Sequence, residues 1–571
     1  PLADVACTLQ SGRAEHRYRR AIIATDAADA ATRLATASLR PGVTRLAARP
    51  RLAFLLPGVG DQYRGLGHVL YRSEPAFAAA ADECLTVAAD RCGIDLRPVL
   101  LADPPAGQSA LAFPPRPGGG TGPVDELLQH AEIAHPFLFT VEYALARLLT
   151  GWGVSPDLLI GYSLGEYTAA CLAGVFALPD ALWLVTERAR LIEAAPPGQM
   201  LAVAADHEQV RETLAGLAGS VGVAALNGPH MTVLSGSPGD VEAAAGVLAQ
   251  ADLATTSLRS AHAFHSTLLQ PAQDKLAALI ASVPRRAPRI PITSNVTGGL
   301  LTDAQATDPR YWGEHLCLPV RFADSIQQDL NREIDAYVEL GPGQMLGGLV
   351  WQNLTDGVAP TVFGTLPSPW PAQDQRSEIA SLLETCGRLW ELGVQLNWPA
   401  LRHGSGRLAS LPAYPFQRSR FWPEAPSPAS VRPQPGGTGQ RPEPDGYLDD
   451  PLNETSAPPG LSRFPRPMLA TSYVPPRTEL EATVAGVWGE FLGIDQVGVD
   501  DPFFELGGNS LAALAIVKAI ERLLERQIAP ALLIHHHTVA AFAAALDGTD
   551  SAAPVSDLAP VSALAADRRL P

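Results

Sequence analysis

Gly161-Tyr162-Ser163-Leu164-Gly165 decides the reading of this chain. The apolar run Leu158-Leu159-Ile160 precedes it, and a run of helix formers from Glu166 to Ala173 follows. That order predicts a strand, a sharp turn and a helix, with a serine at the apex. Glycines two residues either side of Ser163 allow the tight backbone of a nucleophile elbow. Such a turn exposes the hydroxyl and aims a helix N-terminus at it. Backbone N–H groups there can hold negative charge developing on a substrate oxygen. The apolar run at 52–56 and the segments at 290–294 and 336–340 predict further strands, and a long amphipathic helix is expected over 136–152. Strands and helices in alternation imply a mostly parallel α/β sheet covered on both faces. Residues 199–258 carry strand candidates at 200–204, 221–225 and 231–235 with helices between them, the pattern of a small βαββαβ insert.

A second serine lies in Asp501-Pro502-Phe503-Phe504-Glu505-Leu506-Gly507-Gly508-Asn509-Ser510-Leu511. Two glycines free the backbone just before Ser510, which opens a helix expected over 511–525, a position where serine is a favoured cap. Leu480, Val484, Val487, Trp488 and Leu492 repeat at helical spacing, as do apolar residues over 511–524 and 539–546. Residues 478–548 thus form an all-α bundle of three or four helices. Its ten acidic and three basic residues leave a net charge of −7. Upstream, 13 of the 52 prolines crowd into residues 424–476, the composition of an extended linker. Residues 549–571 read as a tail.

A chain of 571 residues is too long for one core. A net charge of −17 without a basic stripe excludes a nucleic-acid binder. The six cysteines form no C-x-x-C pair, so reduced thiols in a cytoplasm are expected. No apolar run approaches the ~20 residues of a membrane span, and no signal-peptide pattern opens the chain. It begins at Pro1 rather than Met and reads as a piece of something larger. His535-His536-His537 are adjacent and cannot all face one site, so no metal is expected.

Further strings fall in order: Pro57-Gly58-Val59-Gly60-Asp61-Gln62, the elbow, Glu187-Arg188-Ala189-Arg190, Ala225-Leu226-Asn227-Gly228-Pro229, His262-Ala263-Phe264-His265-Ser266, Val338-Glu339-Leu340-Gly341-Pro342-Gly343, and Tyr414-Pro415-Phe416-Gln417-Arg418-Ser419-Arg420-Phe421-Trp422. The set resembles the acyltransferase domain of a modular type I polyketide synthase with its trailing linker, followed by an acyl carrier domain. A hybrid polyketide–peptide line is the variant of this reading. The resemblance implies an α/β-hydrolase-like core with a ferredoxin-like insert and a four-helix carrier. It divides the chain into a ketosynthase-to-acyltransferase linker (1–50), acyltransferase (51–362, small subdomain about 199–258), post-acyltransferase linker (363–423), flexible linker (424–477), carrier (478–548) and tail (549–571).

The resemblance also implies roles. Ser163 attacks the thioester of malonyl-coenzyme A, His265 is its base, and a backbone carbonyl near Arg321 orients the imidazole. The N–H groups of Leu164 and Val59 form the oxyanion hole. Arg188 clamps the malonyl carboxylate, Asn227 offers a polar contact, and Ser510 carries covalent 4'-phosphopantetheine. Phe264, in a His262-Ala263-Phe264-His265 pattern, implies malonyl rather than methylmalonyl selection. The chain departs from the family at Val59 (usually Gln), Tyr162 (usually His) and Asn509 (often Asp). Val59 keeps its N–H, and Tyr162 is not the base. Expected partners are a ketosynthase, a phosphopantetheinyl transferase, and a downstream module or thioesterase, with neither nucleic acid nor membrane. The rival readings are a serine hydrolase with an appended carrier and a decayed acyltransferase serving as a scaffold.

Overall fold

The computed structural model describes residues 1–16, 18–36, 42–43, 49–103, 123–217, 221–258, 260–328, 333–353, 361–367, 377–412, 466, 469, 471, 473–508, 510–524, 526–529 and 531–548. The strands that matter for the site are β1 (Leu52–Leu56), β2 (Leu158–Gly161), β3 (Gln199–Val203), β4 (Gly222–Gly228), β5 (Met231–Gly236), β6 (Thr255–Leu258), β7 (Ile292–Thr293), β8 (Ala336–Pro342) and β9 (Thr361–Leu366). The corresponding helices are α1 (Ala131–Gly151), α2 (Gly165–Ala173), α3 (Leu178–Glu193), α4 (Pro238–Gln250), α5 (Met345–Asn353), α6 (Glu378–Leu392), α7 (Glu479–Leu492), α8 (Ser510–Leu524), α9 (Ala531–His535) and α10 (Val539–Gly548).

The larger sheet has the order β9-β8-β1-β2-β7, and all its pairings are parallel. Every residue of β1, β2 and β8 is buried, which explains the unbroken apolar sequences of β1 and β2; in β8 the buried Glu339 carboxylate accepts from the N–H groups of Leu346 and Gly347. Alternate side chains serve two cores. Phe54, Leu56 and Leu159 pack with Phe139 and Leu145 of α1, whereas Ala53, Leu55, Leu158 and Ile160 pack with Leu346 and Leu349 of α5. Helix α1 begins at Ala131, a turn before the expected 136, with Pro136 inside it. Burial of Ala131, Ala134 and His135 outweighs the hydrogen bond that the proline forgoes.

The smaller sheet has the order β4-β5-β3-β6 and is antiparallel throughout. Three of its strands lie where the apolar runs placed them. The fourth, β6, is half exposed and carries no apolar run. At the N-terminus, Tyr18–Arg19 pairs antiparallel with Gly42–Val43. Strand β9 spans the expected domain boundary at 362 and forms the edge of the large sheet.

Residues 1–13 and 405–412 belong to a separate compact unit. Within it the Asp4 carboxylate accepts from the Arg407 N–H at 2.8 Å and Thr8 Oγ1 from the Ala409 N–H at 2.7 Å. Helices α7 to α10 enclose their own core, with the Trp488 and Phe503 rings 5.0 Å apart. Helix α8 starts at Ser510 itself. The expected loop over 103–124, linker over 424–477, tail over 549–571 and string 414–422 lie wholly or mostly outside the described residues. Among the described residues no helix is long and apolar enough to cross a membrane.

The parallel order positions the site. Strands β1 and β2 are in register to their last residues, Leu56 against Gly161. Their following turns therefore open side by side at the carboxyl edge, where parallel sheets bind ligands. Strand β7 flanks β2 on the other side, and Ser294-Asn295 emerges from it at the same edge.

Candidate active site

Ser163 holds φ at 52°, the strained left-handed region, at the tip of the turn between β2 and α2. The flanking glycines serve a different purpose from the one their spacing implied. A Cβ on Gly165 would stand 1.9 Å from Leu56 O, and one on Gly161 would stand 2.3 Å from the Glu166 nitrogen. Backbone lies directly on backbone, so no side chain fits at either position.

Asn295 secures the turn from the β7 side. Its Oδ1 accepts from the Ser163 N–H at 2.6 Å, and its Nδ2 donates to Gly161 O at 2.6 Å. Its own N–H donates to Glu166 Oε2 at 2.8 Å. Glu166 is fully buried and also bonds the Tyr311 hydroxyl. His315 Nε2 lies 3.4 Å from Glu166 Oε2.

Ser163 Oγ lies 2.7 Å from His265 Nε2. His265 also has a positive φ, 54°, in the segment that leaves β6. Its Nδ1 meets the carbonyl of Leu318 at 2.9 Å. A carbonyl can only accept, so Nδ1 bears the proton and Nε2 is free to take one from serine. This corrects the expectation for Arg321. The Arg321 carbonyl is already taken by the Ser325 N–H at 3.1 Å, at the start of the next helical turn. Pro319 follows Leu318 and disfavours helical backbone there, which leaves the Leu318 carbonyl available. Strand β4 steadies this segment through the Leu226 N–H to Val320 O bond at 2.8 Å and the Val320 N–H to Ala224 O bond at 2.9 Å.

The surroundings keep His265 neutral. Burial pushes its pKa down to about 3, and the nearby His315 and Arg188 charges act the same way. The His315 ring stands edge-on at 5.9 Å.

Arg188, on α3, is 1% exposed. Its Nη1 donates to His135 Nδ1 at 3.2 Å, and the guanidinium lies 5.6 Å over the Tyr167 ring. Among the described residues its Nε and Nη2 have no partner and no carboxylate pairs with it. Burial lowers its proton affinity. Arg190, two residues on, pairs ordinarily with Glu187 at 2.6 Å. Phe264 stands beside this pocket, its ring 5.9 Å from that of His135. His262 Nε2 lies 3.3 Å from Glu193 Oε2, on the same helix as Arg188.

Among the described residues the N–H groups of Val59 and Leu164 have no hydrogen-bond acceptor. They belong to the two turns that open side by side after β1 and β2. Tyr162 points into the other core, its ring 5.8 Å from Phe322, and burial pushes its hydroxyl up to about 12. Asn227 lies on β4 and donates to Met231 Sδ at 3.3 Å, with its buried Oδ1 unpartnered among the described residues. Both are thus placed on the side of the small sheet, whereas His262 and Phe264 lie beside the arginine.

His135, Asn295, Leu318, Glu166 and His315 were missed from sequence. A polar pair straight after β7, Ser294-Asn295, was the one legible signal. His135 sits within an apolar helix, and Leu318 contributes only backbone.

The acyl transferase domain family matches residues 53–369, the phosphopantetheine attachment site family 482–546, and a CurL-like polyketide synthase C-terminal family 1–34. A phenolphthiocerol/phthiocerol polyketide synthase of Mycobacterium tuberculosis is 33% identical over 96% of this chain, which spans 35% of that protein's length. The acyl transferase domain of ZmaA superposes with a TM-score of 0.63 at 31% identity, covering 72% of this chain and 92% of that one. That of SpnD, solved with 2-(pent-4-yn-1-yl)malonyl, gives 0.59 at 36% identity, covering 70% and 90%. With a serine–histidine pair at the sheet edge and a carrier segment behind it, this chain belongs to the acyl transferase domain family, as an acyltransferase–carrier segment of the modular type I polyketide synthases.

Proposed function

We propose that Ser163 takes malonyl from malonyl-coenzyme A and that the unit then passes to the carrier of the same chain for polyketide extension. The observation that carries this reading is Arg188, a buried guanidinium with free donors and, among the described residues, no carboxylate partner. An isolated buried charge costs several kcal/mol, and an arriving carboxylate offsets that cost. Acetyl has none to offer. A hydrolase or a decayed scaffold gives this arginine no task.

His265 takes the Ser163 proton as Oγ attacks the thioester carbonyl, and returns it to the departing thiol. The Val59 and Leu164 N–H groups support the oxyanion; both are backbone donors, so valine in place of the family's glutamine leaves them intact. The Leu318 carbonyl keeps the imidazole in its basic tautomer. Ser510 fits a phosphodiester attachment, because it is the first residue of a 15-residue helix whose N-terminus favours phosphate. The phosphopantetheine arm held there supplies the thiol that accepts the acyl group.

Phe264 beside His135 supports malonyl selection, since an α-methyl would meet its ring. One methyl is worth only about 1–3 kcal/mol, so the choice is partial. The SpnD domain was solved with a malonyl bearing a longer substituent, which indicates that the wall residues rather than the fold set pocket size. We also assign the small sheet with α4 as ferredoxin-like, α7 to α10 as the four-helix carrier at 478–548, and the acyltransferase as 51–366, so that β9 is retained. Residues 1–50 then link to a ketosynthase, which uses the loaded unit. A phosphopantetheinyl transferase primes Ser510, and a downstream module or thioesterase receives the product.

Ser163→Ala abolishes acyl-enzyme on the apo chain, read by intact mass, while Ser510 still takes up phosphopantetheine. Acylation of the variant at the wild-type rate would remove the nucleophile.

Arg188→Ala lowers malonyl acylation roughly tenfold to a hundredfold and spares acetyl, since a charged hydrogen bond is worth about 1.5–3 kcal/mol. Equal losses for both acyl groups rule out the clamp.

Wild-type chain offered both thioesters loads malonyl over methylmalonyl, and Phe264→Ser raises the methylmalonyl share. A wild-type preference for methylmalonyl overturns the assignment of Phe264.

The base must be neutral, and His265 stays so above about 3. The acylation kcat/KM of the free enzyme therefore holds from pH 8 to pH 5. An imidazole with the ordinary value of about 6.5 would lose about 30-fold over that range, and such a loss contradicts the buried base.

A further inference from the structure

The carrier segment has a net charge of −7, and its three cations, Lys518, Arg522 and Arg526, fall four residues apart along α8 and just past it. That spacing puts them on one face of the helix that Ser510 opens. Arg526 turns back within the carrier, donating to the Leu546 carbonyl at 2.5 Å. The other two reach across to the acyltransferase and share one residue, Asp252. Lys518 Nζ lies 3.4 Å from Asp252 Oδ1. Arg522 Nη2 bonds the Asp252 carboxylate and also its carbonyl, the latter at 3.3 Å.

Asp252 holds φ at 59° in the turn that leaves α4. Aspartate tolerates this conformation better than most residues. Here the turn presents carboxylate and carbonyl together.

A second contact lies at the other end of α8. A Cβ on Gly348, in α5, would stand 2.4 Å from Gly507 O, and Gly507 has φ +87° in the loop that leads to Ser510. Glycine on both sides lets the carrier loop lie directly on α5. The His230 and Phe491 rings, one from each side, are 6.4 Å apart.

We propose that Asp252 is the residue by which this acyltransferase recognises its own carrier, reading the Lys518/Arg522 stripe of α8 while α5 seats the loop before Ser510. The proposal rests on the transfer reading above and names its protein-facing surface. Both cations and Asp252 are substantially exposed, so the recognition is electrostatic and weakens with salt. It governs encounter between acyl-enzyme and carrier and leaves attack on coenzyme A thioesters alone.

The test begins with the apo chain and a water-soluble carbodiimide, which condenses an amine and a carboxylate in contact. The chain has only two lysines, Lys275 and Lys518, so the Lys518 product is unambiguous by peptide mass. The expected product joins Lys518 to Asp252, diminishes at high salt, and is absent in Asp252→Asn. Lys518 linked only to carboxylates of the carrier overturns the proposal. In the holo chain, Asp252→Arg slows single-turnover transfer from Ser163 to the carrier about threefold to tenfold, while acylation of Ser163 from malonyl-coenzyme A keeps its rate. Adding Lys518→Glu and Arg522→Glu to Asp252→Arg restores transfer. Wild-type transfer in Asp252→Arg also overturns the proposal. Failure of the wild-type chain to acylate Ser163 strikes the functional reading instead, and the carbodiimide product then decides the docking surface.

Discussion

The site depends on the side chain of Asn295. Ser163 is held at φ 52°, a conformation that costs a non-glycine residue roughly 1–3 kcal/mol. Asn295 offsets that strain by bonding the Ser163 N–H and the Gly161 carbonyl at once. It is fixed in turn by Glu166, whose carboxylate belongs to the first turn of the helix after the serine. Elbow, strand end and helix are thereby closed into one loop of hydrogen bonds, and the parallel order β1-β2-β7 brings their donors and acceptors to a single edge.

Two buried nitrogen groups of opposite charge state, one neutral and one cationic, stand on that frame. His265 is kept neutral by burial and by neighbouring positive charge, so it is ready to accept a proton. Arg188 stays cationic in an equally buried place, because even a lowered guanidinium pKa leaves it protonated at neutral pH. His135 links the two regions: its Nδ1 accepts from Arg188, and its ring stands beside Phe264. One residue of α1 therefore touches both the buried guanidinium and the Phe264 ring.

The small antiparallel sheet does more than separate α3 from the His262–His265 segment in sequence. Its edge strand β4 grips Val320 and so holds the Leu318 carbonyl against His265. Its helix α4 ends at the turn carrying Asp252, on the surface that meets the carrier. One insert thus steadies the Leu318 carbonyl against His265 and faces the carrier segment.

Sequence by itself determined the local pieces: the parallel strands, whose burial on both faces favours apolar residues; the strand–turn–helix order of the elbow; the serine, histidine and arginine in ordered strings; and the helical carrier segment. It left open whatever depends on residues distant in the chain. Leu318 replaced Arg321 as the orienting carbonyl because a proline and a helix start decided which backbone oxygen was free, and an oxygen has no signature in a side-chain pattern. Asn295 is 132 residues from Ser163, and only the pairing of β7 with β2 joins them. The lack of a carboxylate partner for Arg188 among the described residues is also a tertiary fact. An arginine in a helix reads as solvated until the fold removes water from around it, and only the folded chain separates Arg188 from its paired neighbour Arg190.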